Sequence, residues 1–534
     1  MIHLETRQYY HAVILCLIIC IYSEFRRRRR VQRAANPRGL PYPPGPRRLP
    51  IIGNVFDIAR NNETEVYQRL ADIYGDLVFL SAFGKNILFL NSFEMTTELF
   101  DKRSLNYSDR STPIMCYELV GWDFSFGHMP YGSKWRSHRR VFHSEFQKSK
   151  APKYWPIQTA QAHNLLARLL QSPLKLDLHL RHNAAAVIMM VTYGIKVSSE
   201  NDPYISIAEK ALEGMGQAAS PGAFLVDFLP ILKHIPEWVP GASFKRKARE
   251  WRTAVMEMKD LPFGTVQDQL KRNTARPSFV SNLLLQLDRN KGADSEAAID
   301  IIRNCAGMSY AAGAESTVSV LASFILALVL HPEVQETAQE EIDRVVGSER
   351  LPEFSDRSSL PYVNAILKER IPHPSRDNRS WKHMASGLMT ASKFCIDSIR
   401  PPYRRILHNP ELYPEPHKFI PERFLGEGDK GDSQHLSPSD PLSVAFGYGR
   451  RFCPGRYMGE AQVWISIACL LSVFTIGHAH DESGERVAVE PRFTSKGLIS
   501  HPLEFPFAIR PRNAKASNII ENLSHSADSY DMDR

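Results

Sequence analysis

The chain has 534 residues, 43% of them hydrophobic, so it can bury a large core. No Ser/Gly-rich linker, internal repeat or change of composition interrupts residues 50–510, which favours one large catalytic unit over several. The net charge of +8 is concentrated near the N-terminus, and seven scattered cysteines without a CxxC pair (Cys16, Cys20, Cys116, Cys305, Cys395, Cys453 and Cys469) exclude a disulfide framework and a zinc site.

Tyr9 to Tyr22 are almost continuously apolar. As a helix this stretch spans about 21 Å, short of the roughly 30 Å hydrocarbon core. A signal peptide, a core helix and a short signal anchor compete for it. The favoured reading is the anchor, because the segment runs into Ser23-Glu24-Phe25 and the unbroken Arg26–Arg30 run, not into a small-residue cleavage site. A basic block beside an apolar segment suits anionic lipid headgroups, not nucleic acid, and holds its side of the chain in the cytosol. Residues 1–25 are thus expected to be a single membrane anchor and 26–50 a basic, proline-rich linker ending in the stiff Leu40–Pro46 spacer. Residues 51–512 would form the catalytic domain.

Trp135 and Arg139 are one helical turn apart and share a face. From Phe224 to Val239, apolar residues alternate with prolines ahead of Lys245, Arg246, Lys247 and Arg249; membrane contact and core packing explain them equally well. The proline-free run from Ser295 to Leu330, closed by His331-Pro332, predicts a helix of about 50 Å. Midway, Ala311-Ala312-Gly313-Ala314 leaves room for a flat cofactor, and Gly313 weakens the helix locally. Glu315-Ser316-Thr317 then supplies an acid and alcohols for a proton path.

Leu360 to Glu369 reads as a helix, whereas Arg370 to Arg405 keeps neither helical nor strand period. The pattern resumes at Ile406 and runs through Phe419-Ile420-Pro421-Glu422-Arg423-Phe424. Phe446-Gly447-Tyr448-Gly449-Arg450-Arg451-Phe452-Cys453-Pro454-Gly455 follows, with glycines that let the backbone turn sharply around one sulfur. The apolar run from Tyr457 to Leu471 can start a helix there, with its positive end near Cys453. Residues 513–534 are polar, and a disordered tail is expected.

The loop resembles the FxxGxRxCxG haem-binding loop of cytochrome P450, matching at Phe446, Gly449, Arg451, Cys453 and Gly455. The 312–317 segment is similar to the family's oxygen-binding helix motif, with Ser316 in the usual threonine position. The resemblance, from about Leu40 to Arg512, implies a mainly α cytochrome P450 fold with a small β region. Haem would lie between helix and loop, with Cys453 as the iron's axial ligand. It further implies that Trp135, Arg139 and Arg451 contact haem propionates, and that Glu315, Ser316 and Thr317 serve proton delivery. Residues 125–129, Ser309–Ala312 and Phe493–Ile499 would border the pocket.

Electrons would come from NADPH through a flavoprotein reductase, with Arg450, Arg451 and Arg456 presenting positive charge to it. The implied setting is a single-pass protein of the endoplasmic reticulum with a cytosolic catalytic domain. The implied chemistry is oxygenation of a small lipophilic substrate, as in fungal secondary or xenobiotic metabolism. One departure is plain: Glu369 occupies the glutamate of the family's ExxR helix, but Pro372 stands where the arginine belongs. Arg423 would therefore lack one member of its ion-pair lock, and a haem-poor or mis-spliced chain is the alternative. A haem-thiolate isomerase or dehydratase that needs no reductase is the other, and Glu315 with Ser316 argues against it.

Overall fold

The computed structural model describes residues 22–529, apart from 24–25, 28–29, 31–32, 35, 51, 59–62, 221, 291–294, 371–397, 401–402, 417, 426–439 and 495–498. The architecture is mainly helical, with two small sheets. Strands β1 (Leu77–Ala82) and β2 (Lys85–Leu90) form an antiparallel hairpin, and β2 pairs in parallel with β3 (Ser398–Arg400). Strands β4 (Phe474–Gly477) and β5 (Ala508–Pro511) form the second sheet. Most of the stretch 370–405, expected to lack regular period, lies outside the described residues, which take up again at β3. Three residues there add to an existing edge, where backbone hydrogen bonds suffice without side-chain alternation.

The proline-rich entry does more than space. The Phe79 N–H donates to the Pro44 carbonyl (2.8 Å), and Tyr42 stacks on Phe79 at 4.7 Å. Beyond it, Leu225 and Trp238 are 62% and 82% exposed while Val226 is buried, so the 224–239 stretch is neither wholly core nor wholly surface.

Ser295–Leu330 is one continuous helix of 36 residues, without a break at Gly313. It is apolar on all sides because each half runs through a different core. The first half packs Ile302, Cys305, Ala306 and Tyr310 among Trp122, Val255 and Phe279. The second packs Leu321, Phe324, Ile325 and Leu328 among Leu165, Leu180, Trp464 and Ile467. Between the two cores Ala312 is exposed, and Gly313 to Ser316 are partly so. Among the described residues this helix alone is long and apolar enough to cross a membrane, but it is largely enclosed by protein. The expected anchor falls mainly on residues 9–21, which lie outside the described residues.

The expected disordered tail is corrected. Ala514–Ser529 is a helix against Trp155–Gln171, begun by Asn513, whose side chain accepts from the Ala516 N–H at 2.9 Å. Ala516, Ile519, Ile520 and Leu523 have the i, i+3, i+4, i+7 spacing of a helix face, and this face joins the second core.

Candidate functional site

The cysteine loop closes on itself. The Cys453 N–H donates to the Phe446 carbonyl at 2.8 Å, the Arg451 N–H to Tyr448 and the Phe452 N–H to Gly449. Gly449 is required twice over: its φ is +54°, and a Cβ there would lie 2.0 Å from the Phe100 carbonyl oxygen. Gly455 precedes the helix Arg456–Val473, and a Cβ added to it would meet nothing within 4 Å. Four described cysteines are free, and Cys453 alone among them is not fully buried. The recess still pushes its thiol upward, against a hydrogen bond from the Gly455 amide and the charges of Arg139 and Arg456. Such a sulfur stays neutral until a metal ion displaces its proton.

Beside the loop, cations collect with few anions. Arg451 donates to three carbonyls, Ser108 (2.8 Å), Phe126 (3.1 Å) and Met129 (2.7 Å), and its guanidinium lies 4.6 Å over the Trp135 ring. Burial, then Arg110, pushes its pKa down to about 9. Because arginine stays protonated in proteins, that depression marks an electrostatic cost that a nearby anion would relieve. Arg139 is half-buried on the helix Ser133–Phe146; burial lowers its pKa, and Cys453 opposes this shift only once its sulfur is ionised. A cleft bordered by Ser108, Asp109, Arg110, Tyr448 and Arg451 opens here. His128, bonded through Nδ1 to Ser125 Oγ (3.0 Å), is held neutral by burial and by Arg110 and Arg451, its pKa pushed down to about 4.

On the long helix, the Ser316 hydroxyl donates to the Ala312 carbonyl one turn back (3.0 Å), and Thr317 is buried. Glu315 is an ion-pair crossing, with one oxygen 3.1 Å from Arg181 Nη1 and the other 2.9 Å from His501 Nε2. Burial raises its pKa, but the close contact with His501 and the Arg181 charge outweigh it, leaving the carboxyl below its usual range.

Support for the loop comes from the helix Pro361–Arg370, which packs on Arg456–Val473. Its start is capped by Glu341, whose carboxylate accepts from the N–H groups of Tyr362 and Val363. Glu369 pairs with Arg423 (Oε2 to Nε, 3.1 Å) and accepts from the Ile420 N–H. Arg423 also donates to the carbonyls of Pro414 and Ile420. Pro372 lies outside the described residues.

The structure thus brings Trp135, Arg139, Arg451 and Cys453 together. Two sequence assignments gain a structural context. Arg451 was expected to bind a propionate; three of its five N–H groups donate to backbone carbonyls, which leaves two for such a contact. Gly313 was expected to leave room for a cofactor, but a Cβ on it would come within 2.8 Å of the Ile188 side chain, so its smallness admits the neighbouring helix Leu176–Tyr193. Arg181 and His501 were not found from sequence, since each is a lone residue far along the chain from Glu315.

The donor set fits haem. Cys453 would offer a single thiolate to an iron whose other ligands a macrocycle supplies. The clustered cations suit its propionates, and the accessible stretch of the long helix suits its flat face.

Comparison with known proteins agrees. The family model described as Cytochrome P450 matches residues 43–505. The chain is 40% identical to a cytochrome P450 monooxygenase of Armillaria gallica, over 90% of this chain and 94% of that protein. It is 37% identical to a cytochrome P450 monooxygenase of Postia placenta, over 96% and 97%. It is 36% identical to a tryptamine 4-monooxygenase of Psilocybe cyanescens, over 94% and 97%.

Proposed function

Since the chain belongs to the cytochrome P450 family and is a monooxygenase of it, we propose that Cys453 is the axial thiolate of a haem centre oxidising a small lipophilic substrate. One atom of dioxygen enters a C–H bond or π-system, the other leaves as water, and NADPH supplies the two electrons through a flavoprotein reductase. The setting we infer is the cytosolic face of the endoplasmic reticulum, with residues 1–25 as the anchor and fungal secondary or xenobiotic metabolism as the role.

The observation that carries this reading is the sulfur itself: the one incompletely buried described cysteine, in a glycine-closed loop at a helix start, with Arg139 and Arg456 nearby. Haem held there would supply dioxygen activation, with the Cys453 thiolate as the residue that would hold its iron and enrich it in electron density. The protein's residues do the rest. The Gly455 amide and the helix start hold the sulfur's charge. Arg139, with Arg110 beside the cleft, offers charge-assisted hydrogen bonds to the propionates, while Arg451 props the loop and Trp135. Glu315 and Ser316 move protons inward, and Thr317 anchors their turn in the core. Arg450 and Arg456 give the reductase a positive face.

An iron(II)–carbon monoxide spectrum of the expressed chain tests the reading. A thiolate-type Soret band, with NADPH- and dioxygen-dependent turnover in the presence of reductase, is expected; its absence overturns the assignment. Turnover of an oxygenated substrate without NADPH would instead favour an isomerase or dehydratase. Pro372 supports a second reading, a haem-poor chain, and haem per polypeptide well below one would establish it.

A further inference from the structure

Near the C-terminus, residues 493–494 pair with residues 501–502 as two antiparallel arms, the stretch 495–498 between them lying outside the described residues. Phe493 bridges Pro502, the Thr494 N–H donates to the His501 carbonyl (2.8 Å), and the His501 N–H donates to Thr494 Oγ1 (3.0 Å). Two contacts fasten this hairpin to the long helix. The Ser319 hydroxyl donates to the Ser500 carbonyl at 2.5 Å, and His501 Nε2 meets Glu315 Oε1 at 2.9 Å. Glu315 and Ser319 are four residues apart, so both fastenings lie on one helix face.

The second oxygen of Glu315 belongs to another element. Arg181, on Leu176–Tyr193, holds it while also reaching Asp177 (2.7 Å) and Glu209 (3.9 Å) on Pro203–Ala218. Among the described residues, the charged and titratable groups around the carboxylate are Asp177, Arg181, Glu209 and His501. The His501 side chain is only 14% exposed, so little water competes for its contact.

We propose that His501 is a positioning residue that ties the hairpin to proton delivery, holding the carboxylate of Glu315 so that the hairpin's seat on the helix governs the relay. The inference rests on the proton-delivery role given above to Glu315. A carboxylate gripped at both oxygens cannot swing. Released from His501 it pivots on Arg181 alone, and a shift of the hairpin acts through the same contact.

Two readouts on the full chain test this. The first needs no haem: the Glu315 carboxyl infrared band, isolated by difference against Glu315→Gln, is titrated in wild type, His501→Ala, His501→Gln and Ser319→Ala. Glu315 should titrate higher in His501→Ala. The glutamine variant, which keeps a donor, should be restored part-way, and Ser319→Ala, which loosens the hairpin without touching Glu315, should shift in the same direction by less. The second uses the haem-loaded chain with reductase and NADPH and no added organic substrate, reading the fraction of consumed dioxygen that returns as hydrogen peroxide. That fraction should rise several-fold in His501→Ala and not rise further in the double variant with Glu315→Gln.

An unshifted band in His501→Ala overturns the positioning role, and an unshifted band in Ser319→Ala overturns the hairpin link. A peroxide effect additive with Glu315→Gln also overturns it. A chain that binds no haem fails the monooxygenase reading, while the infrared titration still decides the contact.

Discussion

Residues 446–456 and the surroundings of Glu315 are the two ends of the proposed site, and they are built in opposite ways. The cysteine loop is contiguous: hydrogen bonds among neighbours close it, and Gly449 fits only because no Cβ meets the Phe100 carbonyl. The acid site is assembled from Arg181, Glu315 and His501 on three separate elements, the first 134 positions from Glu315. Local geometry makes the loop a motif, whereas side-chain contacts across the fold make the acid site. The first should fail through backbone changes and the second through changes of charge.

The sharpest break is Cys453→Ala. It removes the one proposed iron ligand, so the pigment and its carbon monoxide signature should vanish although the polypeptide stays folded by circular dichroism. A folded variant that keeps the thiolate-type spectrum would end the comparison, because the loop would then hold no ligand.

Arg423→Ala asks whether the loop is as self-sufficient as it looks. The Arg423 and Glu369 side chains are 12% and 3% exposed, and breaking such a buried pair costs about 3–5 kcal/mol. The helix bearing Glu369 packs against the helix that Cys453 precedes, so both a lower urea midpoint and a lower haem content are expected. Full haem occupancy at reduced stability would show the loop independent of this support. Gly449→Ala attacks the loop from within. A left-handed alanine with a 2.0 Å clash should cost about 2–4 kcal/mol and lower haem retention, read as haem released during size exclusion.

Legibility follows the same division. The long helix was readable to its ends, because proline at position 332 and unbroken apolarity are local signals. The loop was readable because each fixed residue has a backbone reason to be there. Glu369 and Arg423 were paired in advance through the family resemblance alone, and they meet at 3.1 Å. His501 was invisible, since a lone histidine in a loop announces no partner. The C-terminal helix was a different failure. Its spacing of Ala516, Ile519, Ile520 and Leu523 was present, but polar composition masked it, and the face it covers lies on the distant helix Trp155–Gln171.

Acid should weaken both ends, beginning with the arginine cluster beside the loop. His128 is buried between Ser125 and the arginines at 110 and 451, with its pKa near 4, whereas an unfolded histidine takes up its proton near 6.5. Between those values the unfolded chain binds more protons than the folded one. This contribution to stability is therefore complete above about pH 6.5 and is lost as pH falls towards 4, by up to about 3 kcal/mol. Glu315 adds in the same direction, because its carboxyl is held below the usual range and loses its ion pairs when protonated. Urea unfolding at pH 7, 5.5 and 4.5 should show wild type weakening more steeply than His128→Gln, whose side chain takes no proton. Parallel slopes would mean that His128 already carries its charge in the folded chain, and the cationic cluster would then need more anionic compensation than Asp109 and the acids nearby provide.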